Sequence, residues 1–329
     1  METNALQRLK LFADNTQIIK KEFTWQNAMM KRLAALLYAS EEKEINPSAI
    51  RDCYDLLKRS AGLFSSFRGN SMMTVATLLS LRDNPPALLN NTLTVYEEMK
   101  RVGFRASDYL VVAAYQIAAN APQDEYDEKI GRAKAFYDGM KRDHRWLTGQ
   151  DDYIFSAMLG LSDIEVTSGV QKMERLYQSL RPEFHTGTGV QALSQVLVLG
   201  DDTSGIQRRI MTLRDALRSR RLKLDRQYTL SSLGVLALLP MEAESIAAQI
   251  EETMQLLRGK KGFGTWTVAK QEILLLSAGL VTLSSVEQIK QDVLDTVLTT
   301  SMTNIVIAQQ TAIAVAAASS ASAAAASTT

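Results

Sequence analysis

The sequence is poor in the residues that most chemistry needs. It has one cysteine, Cys53, and two histidines, His144 and His185, in 329 residues. A single cysteine rules out an intramolecular disulfide and a multi-cysteine zinc site. Gly (17) and Pro (6) are also scarce, well under the roughly 12% they make together in average usage. Sheet-rich proteins draw on such residues for tight turns, so the shortage points to helices with short connections. Charge of one sign is missing too. Lys plus Arg (37) balance Asp plus Glu (36), which removes a general attraction to polyanions and argues against nucleic acid as a whole-chain partner. The first residues carry no apolar run with a small-residue cleavage site, so the expectation is a cytoplasmic protein. The most apolar segment, 305–318, is alanine-rich and contains Gln309 and Gln310, which argues against a membrane span.

What the sequence does contain is a repeat. A hexapeptide of an apolar residue, a variable one that is often Tyr, two mostly polar ones, an apolar one and a Lys or Arg recurs six times. It ends at Lys58, Lys100, Lys141, Arg181, Arg218 and Arg258, at spacings of 42, 41, 40, 37 and 40 residues. Pairs such as Val95 and Met99 share a helical face, and the final cation suits a helix C-terminus. A few residues later an apolar, usually aromatic, residue returns: Phe104, Trp146, Phe184, Leu222 and Phe263. Each is expected to pack back on the helix it ends, with Gly103 and Gly262 as the left-handed residues that turn the chain. Between the copies lie apolar segments: 73–81, 109–118, 153–161, 190–199, 230–239 and 273–283. Each hairpin therefore pairs an apolar, buried helix with a following amphipathic, more exposed one. The expected fold class is all-α: an α-solenoid of about six to seven hairpins over 1–303, one array, with an Ala/Ser-rich tail over 304–329 that is helical and then frayed.

Several strings carry a family resemblance. Ser65-Ser66-Phe67-Arg68-Gly69-Asn70, Ser107-Asp108-Tyr109-Leu110 and Asp151-Asp152-Tyr153-Ile154-Phe155 are three of them. Gly262-Phe263-Gly264-Thr265-Trp266 and Ile307-Ala308-Gln309-Gln310 complete the set. Over nearly the whole length the sequence resembles a bacterial family, mostly from Firmicutes, catalogued as domain of unknown function 4003. The resemblance implies a bacterial cytoplasmic origin and supplies no catalytic or binding residue.

His144 and His185 occupy corresponding places in adjacent repeats, without a second His or Cys at the spacing a helix-borne metal site wants. Cys53 sits at an apolar repeat position and reads as a buried structural thiol. Gly187-Thr188-Gly189-Val190-Gln191-Ala192 has the spacing of a dinucleotide fingerprint but follows a helix and Pro182, whereas that motif needs a strand. Gly259-Lys260-Lys261-Gly262-Phe263-Gly264 is either an anion cradle or a helix end followed by a turn. Asp151-Asp152 lacks a third aspartate, and Asn90, Thr94 and Glu98 form a stripe that helix capping and solvation explain. No catalytic residue, metal ligand or cofactor is assigned.

The densest charge lies between Arg208 and Arg226: eight cations against Asp215 and Asp225. Arg214, Arg218 and Arg221 share one helical face and are the candidate partner-binding residues. Three readings stand: salt bridges within the array, an acidic protein partner, or a phosphate-bearing surface. Two functions follow. The first is a non-catalytic scaffold holding a protein or peptide. The second is a small-molecule site or enzyme with a pocket between repeats, lined by Tyr109, Trp146 and Tyr153.

Overall fold

A computed structural model of the protein describes residues 3–60, 62, 66–200, 205–292 and 303–317. The fold is all-α, with no strand among the described residues. The helices are α1 (Thr3–Glu22), α2 (Ala28–Ser40), α3 (Pro47–Ser60), α4 (Met72–Ser80), α5 (Pro85–Arg101), α6 (Asp108–Asn120) and α7 (Tyr126–Asp143). They continue as α8 (Tyr153–Leu161), α9 (Val166–Leu180), α10 (Gly187–Val198), α11 (Ile206–Ser219), α12 (Leu230–Ala237), α13 (Ala243–Arg258) and α14 (Lys270–Asp292). A last helix, α15, covers 303–317.

All six hexapeptides close a helix or the 3-10 turn that follows it, and all six apolar segments fall on helices. The starts follow local chemistry. Ser107, extended, accepts from Leu110 N–H at 3.2 Å, and Asn84 accepts from Ala87 N–H at 3.1 Å ahead of Pro85 and Pro86. Both are N-caps of the kind whose loss costs about 1 kcal/mol. Asp108 reaches out of its own helix and accepts from Ser71 N–H (2.9 Å) and Ser71 Oγ (2.8 Å), fixing the start of α4. The even-numbered helices from α4 to α12 are short and buried almost all round: every residue from Leu110 to Ala118 is inaccessible or nearly so. The odd-numbered ones bury one stripe, as with Ile50, Cys53 and Leu57 on α3.

The chain divides into two compact units. In the unit of residues 18–38, 45–170 and 310–329, α6 packs on α5 and α8, and α7 packs on α5 and α8. Gly160 lies where a β-carbon would meet the Lys129 carbonyl at 2.7 Å and Ala133, so α7 and α8 cross in close contact. In the unit of residues 1–17, 39–44 and 171–309, α12 packs on α10, α11 and α14, and α13 packs on α11 and α14. Helix α1 joins this unit through Phe12, whose ring is 5.5 Å from that of Phe263, and through Arg8, which donates to the Leu283 carbonyl at 2.9 Å.

One outcome differs from sequence expectation, and two others add to it. Phe104, Phe184, Leu222 and Phe263 are buried, but Trp146 is 92% exposed. Its slot is taken: Phe104, Tyr137 and Tyr153 fill that part of the core with ring centroids 4.8–5.6 Å apart, and Thr148 turns inward in the loop. The alanine-rich terminal helix is buried, with Ile305 through Thr311 at or below 8% exposure, and Gln309 Nε2 donates to Ser232 Oγ at 2.7 Å. The expected frayed part, 318–329, lies outside the described residues. Finally, Gly189 of the dinucleotide-like string begins a helix capped by Thr186 (3.2 Å), and a β-carbon there would strike Leu230 and the Gln227 carbonyl. It is a packing glycine.

Candidate interaction surface around α11

Helix α11 buries Ile206, Ile210, Leu213, Ala216 and Leu217, which leaves its cations on the remaining face. Most are occupied. Arg209 turns back on the protein: Nε donates to the Ala237 carbonyl (2.6 Å) and Nη2 to those of Leu239 and Met241 (2.6 Å for the latter). The guanidinium thus satisfies carbonyls left open at the end of α12. Arg132 does the same in the other unit, donating to the carbonyls of Gly160 (3.1 Å), Ser162 (2.7 Å) and Ile164 (2.6 Å) beyond α8.

The three arginines picked from their spacing fare differently from one another. Arg214 is bound by Glu183 (3.2 Å) and Asp215 (2.9 Å), with its guanidinium 5.8 Å from the Phe184 ring centroid. Partial burial works against its charge, but the hydrogen bonds to the two carboxylates outweigh that and raise its pKa. Arg218 donates from Nε (2.7 Å) and Nη2 (2.6 Å) to Asp225. Arg221 lies past the helix end with φ at 58°, in the left-handed region where Gly103 and Gly262 sit in their own loops. The Leu222 N–H then closes on the Leu217 carbonyl at 2.9 Å, as Phe104 N–H does on Met99 at 3.1 Å, the hydrogen bond of a Schellman end. Next to them Arg220 holds Glu251 at 2.8 Å and Glu244 at 3.4 Å. The hydrogen bond that Arg220 donates to Glu251 leads in raising its pKa.

At the other end of α11 there is an open groove of about 500 Å³ against α9, lined by Lys172, Arg175, Ser179, Gln207 and Arg208 among others. Gln207 Nε2 donates to the Ser179 carbonyl at 3.2 Å and pins the two helices. Arg175 and Arg208 are exposed. Arg208 entered the sequence reading only as part of the local charge excess. That it lines the same groove as Arg175 was not visible because the two stand on different helices, far apart in sequence.

Of the residues assigned to a pocket, Tyr153 is buried, accepting from Arg105 N–H at 3.1 Å within the aromatic cluster. Burial, then the neighbouring Tyr153 hydroxyl, pushes the Tyr137 pKa upward. Tyr109 is half-buried, and Trp146 stands in solvent beside Arg145 (5.8 Å). The structure does not bring Trp146 and Tyr153 to a common wall. Cys53 is buried and its thiol is pushed up to about 11, chiefly by desolvation. His144 is half-buried and His185 exposed. Among the described residues no three His, Cys, Asp or Glu side chains are grouped as a metal would require, and no helix is long and apolar enough to cross a membrane.

These features define an all-α protein among the described residues. The chain belongs to the family described as "Protein of unknown function (DUF4003)", whose model matches residues 15–312. It is similar to "Uncharacterized protein YeaA" of Bacillus subtilis (strain 168), 22% identical over 187 residues. That match covers 55% of this chain and 56% of the relative, so the chain spans about half the length of the curated relative it matches. No solved structure matches it.

Proposed function

We propose that the protein is a non-catalytic helical-repeat scaffold, an α-solenoid of helical hairpins that holds a protein or peptide partner. The groove between α9 and α11 receives an acidic segment of that partner. The observation that carries this reading is the groove itself: about 500 Å³, open to solvent, with Lys172, Arg175 and Arg208 along it. Peptide-sized ligands need an open channel of this kind, and a carboxylate-bearing chain would find bidentate arginine partners there. Arg214 and Arg218, already held by acidic neighbours, shape the far end of α11 and are not the contact points. The small-molecule alternative draws no support from Tyr153, which is packed in a filled cluster, or from Trp146, which is in solvent.

The test is fluorescence anisotropy of the intact protein with a library of acidic peptides and charge-neutral scrambles. Acidic peptides should bind. The Arg175→Glu/Arg208→Glu double variant should lose most of the binding, and the binding that the wild type shows should weaken as salt rises. If Arg214→Glu/Arg218→Glu/Arg221→Glu abolishes binding while the groove variant does not, the contact belongs to the opposite end of α11 and the groove reading fails.

A further inference from the structure

Every tryptophan in the protein is exposed. The three are Trp25, Trp146 and Trp266, and each lies in a connection that leads into an apolar helix. Trp266 is the extreme case at 103% relative exposure, and the loop that presents it is braced on both sides. Before it, Gly262 turns the chain with φ at 85° and Phe263 is fully buried against Phe12. Gln17 Nε2 donates to the Lys261 carbonyl at 2.6 Å. Arg258 Nη1 donates to the carbonyls of Phe263 (2.9 Å) and Val268 (2.8 Å), tying the two ends of the loop together. After it, Val268 is buried and a turn closes from Thr267 N–H to the Gly264 carbonyl at 2.9 Å. A large apolar ring is therefore held out into water by a loop tied at both ends.

The neighbouring loop joins the same rim. Lys270 Nζ donates to the Arg221 carbonyl (3.2 Å) and Gln271 Nε2 to that of Lys223 (3.1 Å). This places the 220–229 loop, with Tyr228 at 59% exposure, beside the 259–270 loop. Lys223, Arg226, Lys260 and Lys261 are all exposed, and none forms an ion pair among the described residues. Asp225, the acidic residue between two of them, is taken up by Arg218.

We propose that this rim is a peripheral docking site for an anionic lipid surface, with Trp266 and Tyr228 entering the headgroup level and the four cations meeting lipid phosphates. The inference is independent of the groove, which lies at the other end of α11. Tryptophan and tyrosine favour the membrane–water interface because the ring is apolar and its N–H or O–H stays wet. Each cation near an anionic surface adds about fivefold in affinity. Single-stranded nucleic acid is the competing polyanion, but bases stack on rings set along a groove that tracks the backbone. A ring as exposed as Trp266 suits a soft surface it can enter.

The experiment is co-sedimentation of the intact protein with large vesicles of phosphatidylcholine containing about one-third phosphatidylglycerol, and with phosphatidylcholine alone. Association with the anionic vesicles only is expected. Lys260→Glu/Lys261→Glu should weaken it by more than about tenfold, and Trp266→Ala should weaken it several-fold with charge unchanged. Circular dichroism melting should not move in either variant, and Arg175→Glu/Arg208→Glu should sediment like the wild type. No association with anionic vesicles, association that both rim variants retain, or tighter binding to an oligothymidylate than to the vesicles each overturns the proposal.

Discussion

The loops after α5 and α13 and the loop after α7 close equivalent amphipathic helices yet treat their aromatic residues in opposite ways. Phe104 and Phe263 are folded back into the core, whereas Trp146 points outward. One difference lies in how the helix before the ring ends. Gly103 and Gly262 take positive φ, which reverses the chain at the helix end and aims the next side chain inward. His144 ends α7 with φ at −135°, so the chain leaves without that reversal, and Tyr137 and Tyr153 supply the ring that the core needs. An aromatic in register is therefore no guide to burial by itself: Phe184 is buried with no left-handed residue before it, and Trp146 is exposed.

Truncation should expose that contrast with the largest effect. Phe263→Ala removes a fully buried ring that also anchors α1 through Phe12, and should cost about 3–5 kcal/mol in urea unfolding. Phe104→Ala should fall in the same range. Trp146→Ala should stay within about 0.5 kcal/mol of wild type, as exposed positions do. Equal losses at Trp146 and Phe104 would show that the α7 loop closes on the core after all.

A second comparison joins the two units by likeness. Arg132 and Arg209 stand nine residues before the last residue of their hexapeptides, Lys141 and Arg218, and each donates to three carbonyls past the next apolar helix. Substituting Met keeps the aliphatic stem and leaves those carbonyls half-buried and unsatisfied. A loss of about 2–3 kcal/mol is expected for either variant. Calorimetry that finds only one of them destabilised would mean that the two clamps carry unequal loads.

The helical class and the helix ends at the hexapeptides were legible because periodicity is local: an apolar pair four apart and a terminal cation need no knowledge of neighbours. The fate of the cations was not. Arg209, Arg214 and Arg218 formed a charged stripe in sequence, but their acceptors are Ala237, Glu183 and Asp225, which only folding brings near. The same holds for the terminal helix. Its glutamines were read only as an argument against a membrane span, and their burial becomes tolerable once Gln309 finds Ser232, far away in sequence. In the string Gly262-Phe263-Gly264-Thr265-Trp266 the register picked out Phe263 as the inward ring and left Trp266 without an assignment.

The smallest effects test the backbone rule directly. Gly103→Ala puts a β-carbon on a residue with φ at 101° and should destabilise by about 1 kcal/mol. Arg221 occupies the matching left-handed position in its own loop, with φ at 58°, and its side chain appears in none of the ion pairs around α11. Arg221→Gly removes the β-carbon penalty of that conformation and gives back part of it through a freer unfolded chain. A net gain of about 0.5 kcal/mol in unfolding free energy is expected, of opposite sign to the Gly103 change. A loss at both positions would mean that the Arg221 side chain holds the α11 loop in place, and the left-handed turn would then be a consequence of that anchoring and not its cause.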